Sequence, residues 1–251
     1  MENPRYHIQI DDPDAVGKYV ILPGDRGRVE RIAKYLQDPV VVGSNREYYT
    51  MTGTLGGHKV SVMSTGMGAP CISIGVEELK TLGVHTCIRV GTAGAMQPRL
   101  GMGDSVIATG AIRDDGTMDQ YLPKSFPAVA DFEVVQALRE AAADVGNPAH
   151  LGVVYSTDSY YARNFDPQAA QQKGTLYARA GALVVEMEVS ALYLLGNILG
   201  LRAGAVLTVR EQISEEREYR LQAGQKFEEG LEKSIQIAVQ AIEKLLLREH
   251  P

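Results

Sequence analysis

A single large α/β domain is the fold class this sequence predicts, and three observations predict it. Short apolar runs alternate with longer amphipathic ones, Gly-rich turns punctuate them from Gly17 to about Val209, and 251 residues suffice to bury one sizeable core. With 45% hydrophobic residues, 22% charged residues, 26 Gly and 11 Pro, the composition is that of an ordinary globular chain, which excludes wholesale disorder, collagen and coiled coil.

β-Branched residues clustered between turn signals predict strands at 18–22, 47–55, 59–65, 86–91, 104–111, 151–155, 182–186 and 203–209. Gly56-Gly57 supplies the positive φ angles of a tight turn between the second and third of these, so a hairpin is expected there and an antiparallel portion inside a mixed sheet. Helices are expected at 26–37, 70–82, 131–145, 168–180, 187–199 and 215–248. In the last, Leu231, Ile235, Val239, Ile242 and Leu246 recur every three or four residues with Glu and Lys opposite, the pattern of a helix covering a sheet. From Arg113 to Ala130, Asp-Asp-Gly, Leu-Pro and Phe-Pro interrupt any periodicity and predict a long ordered loop. No repeat, low-complexity tract or linker divides the chain, so 1–251 reads as one domain.

Lys and Arg number 25 against 31 Asp and Glu, a net charge of −6, which argues against nucleic-acid binding and means that any anionic ligand needs locally placed arginines. Cys71 and Cys87 lie in apolar stretches without CxxC spacing, so a reducing compartment is expected and a metal site is not. The polar, acidic start and the absence of a long apolar run point to a cytoplasmic protein that does not engage a membrane. Familiar signatures fail: there is no GxxxxGK[ST] loop, no HExxH, no GxSxG, and Gly66-Met67-Gly68 lacks the third glycine of a dinucleotide fingerprint.

Four motifs remain. Leu22-Pro23-Gly24-Asp25-Arg26-Gly27-Arg28 stands where a strand ends and a helix begins, so backbone N–H groups, a close backbone approach at glycine and the Arg28 fork suit a phosphate; the alternative is a turn followed by a solvated helix face. Cys87-Ile88-Arg89-Val90-Gly91-Thr92 sets an arginine in an apolar strand, where its charge requires an anion, either a ligand or an internal carboxylate. Glu186-Met187-Glu188 runs from a buried strand into a helix; Glu188 either caps that helix or accepts hydrogen bonds from a vicinal diol such as a sugar's. Ser64-Thr65-Gly66-Met67-Gly68-Ala69-Pro70 ends a strand and opens a helix with small residues, leaving room for a ligand or a subunit contact, or forming a plain turn.

These segments, with Tyr6-His7, Arg46-Glu47 and Phe126-Pro127-Ala128-Val129-Ala130-Asp131-Phe132, occur in the order found in the nucleoside phosphorylase family, which the chain resembles over nearly its whole length. The resemblance implies a three-layer α/β domain with a mixed, partly barrel-like central sheet flanked by helices. It implies that Gly24, Arg28, Arg89 and Thr92 hold phosphate with Arg46 from a neighbouring subunit, and that Met187 and Glu188 hold ribose with His7 from the neighbour. It implies phosphorolysis of a nucleoside to a free base and (deoxy)ribose 1-phosphate, with inorganic phosphate as co-substrate and no further cofactor, by a dimer-based and usually hexameric homo-oligomer. Phosphate beneath the ribose then stabilises the growing positive charge and attacks C1′ without a covalent enzyme intermediate, with Arg28, Arg89, Glu188 and Glu211 as the catalytic set.

Uridine is the expected substrate, and inosine or guanosine the alternative. Members that act on uridine typically carry Gln and Arg, two apart, after an aromatic residue; here Tyr160 is followed by Tyr161-Ala162-Arg163-Asn164, and the pair is not recognisable. Thr65, Gly66, Tyr160, Arg163, Arg210 and Glu211 are the expected base-pocket residues. Glu211 falls where purine enzymes of the family place a proton-donating Asp, although a solvated surface position is an equal alternative for Arg210-Glu211. Glu47 and Met67 match an interface cation site of some members, but Cys71 replaces a serine oxygen, so no ion is expected. A nucleosidase of the same fold would not need three phosphate arginines, and a non-catalytic binding protein would keep the pocket without turnover.

Overall fold

A computed structural model describes residues 5–213, 219–221 and 224–249. In chain order the elements are β1 (Tyr19–Pro23), α1 (Arg26–Ala33), β2 (Gln37–Asn45), β3 (Tyr48–Leu55), β4 (His58–Met63), α2 (Ala69–Thr81), β5 (Thr86–Ala95), β6 (Ser105–Asp114), β7 (Ala128–Val129), α3 (Phe132–Asp144), β8 (His150–Thr157), α4 (Ala162–Phe165), α5 (Pro167–Arg179), β9 (Val184–Glu186), α6 (Val189–Leu199), β10 (Arg202–Ile213), β11 (Tyr219–Leu221) and α7 (Gln225–Glu249).

The described strands join in one mixed sheet. β10 lies parallel to β5 and antiparallel to β6, β6 and β9 lie parallel to β8, and β9 returns antiparallel to β5, closing a five-stranded ring. From β5 the sheet continues through β1 and β4, both parallel neighbours, and ends in the antiparallel strands β3 and β2. β1, Tyr-Val-Ile-Leu-Pro, is buried throughout because parallel central strands are covered on both faces. Its side chains alternate accordingly: Val20 and Leu22 join the core under α2 and α6, Tyr19 and Ile21 the core under α1, α3 and α7. Helix layers on both sides and a ring-closed sheet between them are the architecture expected.

The hairpin forms as anticipated, Leu55 opposite His58 with φ of 56° at Gly56 and 81° at Gly57. Elsewhere the boundaries move. The helix expected to reach residue 37 stops at Ala33, and β2 follows, where Val40 and Val41 pair with Thr52 and Met51 of β3 at the sheet's edge. The expected loop from 113 to 130 contains the last residues of β6, a helical turn at Met118–Gln120 and β7. It is organised from within: Arg113 donates to the carbonyls of Pro123 and Phe126 at 2.7 Å, of Leu122 at 2.8 Å and of Met118 at 3.1 Å, so loop backbone occupies both terminal nitrogens of a buried guanidinium. The helix expected over 215–248 begins at Gln225 instead. Residues 219–221 are a strand antiparallel to the end of β10, and 214–218 and 222–223 lie outside the described residues. The apolar face of α7 is the predicted one, with Leu231, Ile235, Val239, Ile242 and Leu246 all buried. Among the described residues no helix is long and apolar enough to cross a membrane.

α7 meets the loop before β6 backbone to backbone. A Cβ built on Gly230 would sit 2.1 Å from the carbonyl oxygen of Gly103, itself held at φ +85°. Gly230→Ala should therefore destabilise the protein by about 1–3 kcal/mol through overpacking, although alanine is intrinsically the better helix residue by about 1 kcal/mol. Urea unfolding measures the difference, and a variant as stable as the parent would contradict so close an approach.

Candidate active site

β1, β4, β5 and β10 run parallel, so their carboxyl ends open on the same edge, where open α/β sheets bind ligands. Gly24 follows β1, Thr65 to Gly68 follow β4, Thr92 lies late in β5, and Glu211 lies late in β10. Backbone bonds stitch two of these ends together: Thr65 N donates to the Pro23 carbonyl at 2.9 Å and Gly66 N to that of Gly24 at 3.0 Å.

Arg89 projects from β5 into this edge and is 4% exposed. Its Nη2 meets Glu188 Oε2 at 2.5 Å, and its Nη1 lies 3.4 Å from Thr65 Oγ1. The internal carboxylate that the sequence offered as a partner for Arg89 is in place. The pair does not exhaust the site's positive charge. Arg28, half-buried on the first turn of α1, reaches the Val90 carbonyl at 3.4 Å. Burial, and then the charges of Arg89 and Arg210, hold its guanidinium below the ordinary arginine range, with Asp25 opposing. Asp25 caps α1 by accepting from Gly27 N at 2.9 Å. A Cβ at Gly24 would lie 3.0 Å from the Gly66 carbonyl oxygen and 3.5 Å from Arg89 Nη2, so glycine keeps this approach open. Arg89 Nε and Arg210 Nε are buried without a hydrogen-bond partner in the protein. Neighbouring guanidinium groups with unused donors, beside a helix start, form a cradle for an oxyanion.

Glu188 is 5% exposed and uses its second oxygen too, accepting from Gly68 N at 2.6 Å. The helix cap considered for it belongs to Glu186, whose Oε2 accepts from the backbone N–H of Glu188 at 2.7 Å and of Val189 at 2.9 Å. The spacing of the two carboxylates did not reveal which would turn back to the backbone. Met187 between them is half-buried and Thr92 likewise.

Among the residues expected to line a base pocket, some distant in sequence meet. Tyr160 Oη donates to Glu211 Oε1 across 51 positions, Arg163 Nη1 lies 3.6 Å from Glu211 Oε2, and the Arg163 guanidinium stands 4.2 Å over the Tyr160 ring. Glu211 is 6% exposed, which corrects the surface alternative; its neighbour Arg210 is half-buried over Phe227. Periodicity carried no signal for the Tyr160–Glu211 contact. Burial raises the Tyr160 phenol above its ordinary pKa, with Glu211 adding to the shift. Of the two residues expected to serve a neighbouring subunit, one has its side chain held within its own chain and the other is exposed. Exposed Arg46 occupies the β2–β3 turn at φ +51°, with its carbonyl bound by Arg26 Nη1. His7 is fixed by Glu78, which accepts from its backbone N–H at 3.0 Å and lies 2.7 Å from its Nδ1.

Comparison with known proteins bears on the whole chain. The family described as the phosphorylase superfamily matches residues 18–248. The chain is similar to the uridine phosphorylase of Treponema pallidum (strain Nichols), at 46% identity covering 98% of this chain and 96% of that one. It is 37% identical to the guanosine phosphorylase of Halorubrum lacusprofundi, covering 81% of each. The crystal structure of uridine phosphorylase from Vibrio fischeri ES114 complexed with 6-hydroxy-1-naphthoic acid matches with a TM-score of 0.85 and 31% identity over 96% of both chains.

Removing one partner of a buried ion pair strands the other charge, at a cost on the order of 3–5 kcal/mol. Glu188→Gln should lose about that much stability in sulfate-free buffer and regain part of it as sulfate supplies the missing negative charge. Urea unfolding with and without sulfate checks this; equal stabilisation of variant and parent by sulfate would contradict it.

Proposed function

The chain belongs to the phosphorylase superfamily, and from that premise we propose that it cleaves uridine by phosphorolysis, releasing uracil and ribose 1-phosphate. The observation that carries this reading is the convergence of Arg28 and Arg89 with the Glu188 carboxylate beside the bare backbone of Gly24. A water-using nucleosidase has no need of a cluster of guanidinium groups with unused donors.

Inorganic phosphate lies on Gly24, Arg28, Arg89 and Thr92, with Arg46 reaching in from a neighbouring subunit. Glu188 and Met187 hold the ribose, and the neighbour's copy of His7 closes over it. As the glycosidic bond stretches, positive charge grows on the sugar. The dianion held beneath stabilises that charge and forms the new bond from a phosphate oxygen to C1′, while the bonding pair leaves with the base nitrogen. The arginines do more here than bind: they fix the nucleophile in line before the bond breaks. Tyr160, Arg163, Arg210 and Glu211, with Thr65 and Gly66, form the base pocket. The Glu211 carboxylate, braced by Tyr160 and Arg163, accepts an N–H of the base or exchanges a proton with it as it departs. A site completed by neighbours requires a homo-oligomer, and we assign a dimer-based hexamer; the exposed position of Arg46 supports it. Two unpaired thiols, Cys71 and Cys87, support a reducing compartment, the cytoplasm.

A second reading has its own support. A carboxylate in the base pocket also suits the paired N–H donors of guanine, and one relative is a guanosine phosphorylase. Base release from uridine, thymidine, inosine and guanosine, each with and without inorganic phosphate, separates the readings. Uracil should appear from uridine only when phosphate is present. Equal release without phosphate would make the protein a nucleosidase, and turnover of guanosine with none of uridine would establish the purine reading. Arg89→Ala should lower kcat/KM for the favoured nucleoside by about a hundredfold or more, since it removes charge at the nucleophile and leaves Glu188 unpaired.

A further inference from the structure

We infer that Glu186 is a positioning residue for Glu188: its carboxylate pins the corner between β9 and α6 from which Glu188 reaches Arg89 and the Gly68 N–H. This rests on Glu188 being the sugar's anchor.

Both oxygens of Glu186 are spoken for by groups other than the arginines. Oε2 collects the N–H groups of Glu188 and Val189, and Oε1 accepts from Ser156 Oγ at the end of β8. Ser156 in turn accepts from Ser190 N at 3.0 Å, and Ser190 Oγ donates to Asp115 Oδ2 at 2.6 Å. The chain from Asp115 through Ser190 and Ser156 to Glu186 thus ties the end of β6, α6, β8 and β9 into one buried network, with the Glu188 backbone as its last member. A neutral residue at 186 would fill the same space without drawing two adjacent N–H groups onto one charged oxygen.

Burial, and then the charge of Glu188, raise the Glu186 carboxyl to about 7, while Arg89, the Ser156 hydroxyl and the Glu188 N–H oppose the shift. Tyr193 faces it from α6, and its phenol is pushed up by burial and by Glu186. The ionised carboxylate accepts three hydrogen bonds. Protonation removes the charge that strengthens these three bonds, and a proton on Oε1 obliges the Ser156 hydroxyl to turn from donor to acceptor, so the clip loosens as pH falls through this value. Because Ser156 lowers the Glu186 value, removing its hydroxyl must carry the transition to higher pH.

The test compares the parent protein, Ser156→Ala and Glu186→Gln. Profiles of kcat/KM for uridine against pH are recorded beside melting temperatures and the amide resonance of Val189 in [15N]valine-labelled protein. Phosphate's own ionisation adds the same limb to every profile, so the differences between proteins are what count. The Ser156→Ala acid limb should move up by about half to one pH unit. Glu186→Gln should lose on the order of tenfold in kcat/KM at pH 8, through the KM for uridine more than that for phosphate, and lack the Glu186 contribution to the limb. The Val189 resonance should titrate in the parent, titrate at higher pH in Ser156→Ala and not titrate in Glu186→Gln. Superimposable profiles, or activity losses that follow melting temperature with no change in profile, would overturn the inference. A parent protein that releases no uracil would sink the proposed function, and the Val189 titration would then decide the role of Glu186 by itself.

Discussion

A guanidinium set into a buried strand cannot go without a counter-charge, and in this protein that requirement organises the site. Arg89 lies in β5, the strand shared by the ring and its extension, and it is nearly inaccessible to water. Glu188 satisfies one of its donors and in doing so joins α6 to the sheet, and the same carboxylate fixes the Gly68 N–H at the start of α2. One ion pair therefore locates a strand and the starts of two helices around a single point. Its energetic worth is modest, because burying both charges costs most of what their attraction returns; what it contributes is arrangement.

The excess of positive over negative charge in the cradle explains why the ion pair does not close the site. Arg28 and Arg210 add charge that Glu188 does not neutralise, and Asp25 is occupied with capping α1. In the proposed function, a divalent oxyanion relieves the repulsion among these arginines. In an acidic chain such a patch is local by construction.

What could be read from the sequence was what burial makes conspicuous. Arg89 in an apolar strand, Gly24 at a strand end and Glu188 at a helix start each break a pattern, and each lies where the site forms. β1 and α7 were legible because their apolar periodicity is set by the layers they pack against. β2 was not: as an edge strand it is largely exposed, with Val40 58% exposed, so no alternation marks it. The division of labour between Glu186 and Glu188 was equally hidden, since two like residues two apart carry no mark of which will face the backbone. The pairing of Tyr160 with Glu211 depends on β8 and β10 both lying beside β6, a tertiary fact without a local signature.

Ring closure through β9 has a mechanical consequence. A strand only three residues long would be a weak edge in an open sheet, yet here it is bonded on both sides, to β8 and to β5, so the ring it completes presents no free edge. Opening any one strand of the ring means breaking that loop of hydrogen bonds as a whole, so its amides should exchange with solvent only when the entire domain unfolds. Of the four strands whose ends form the candidate site, β5 and β10 thereby belong to the part of the protein expected to breathe most slowly, while β1 and β4 stand in the extension outside the ring.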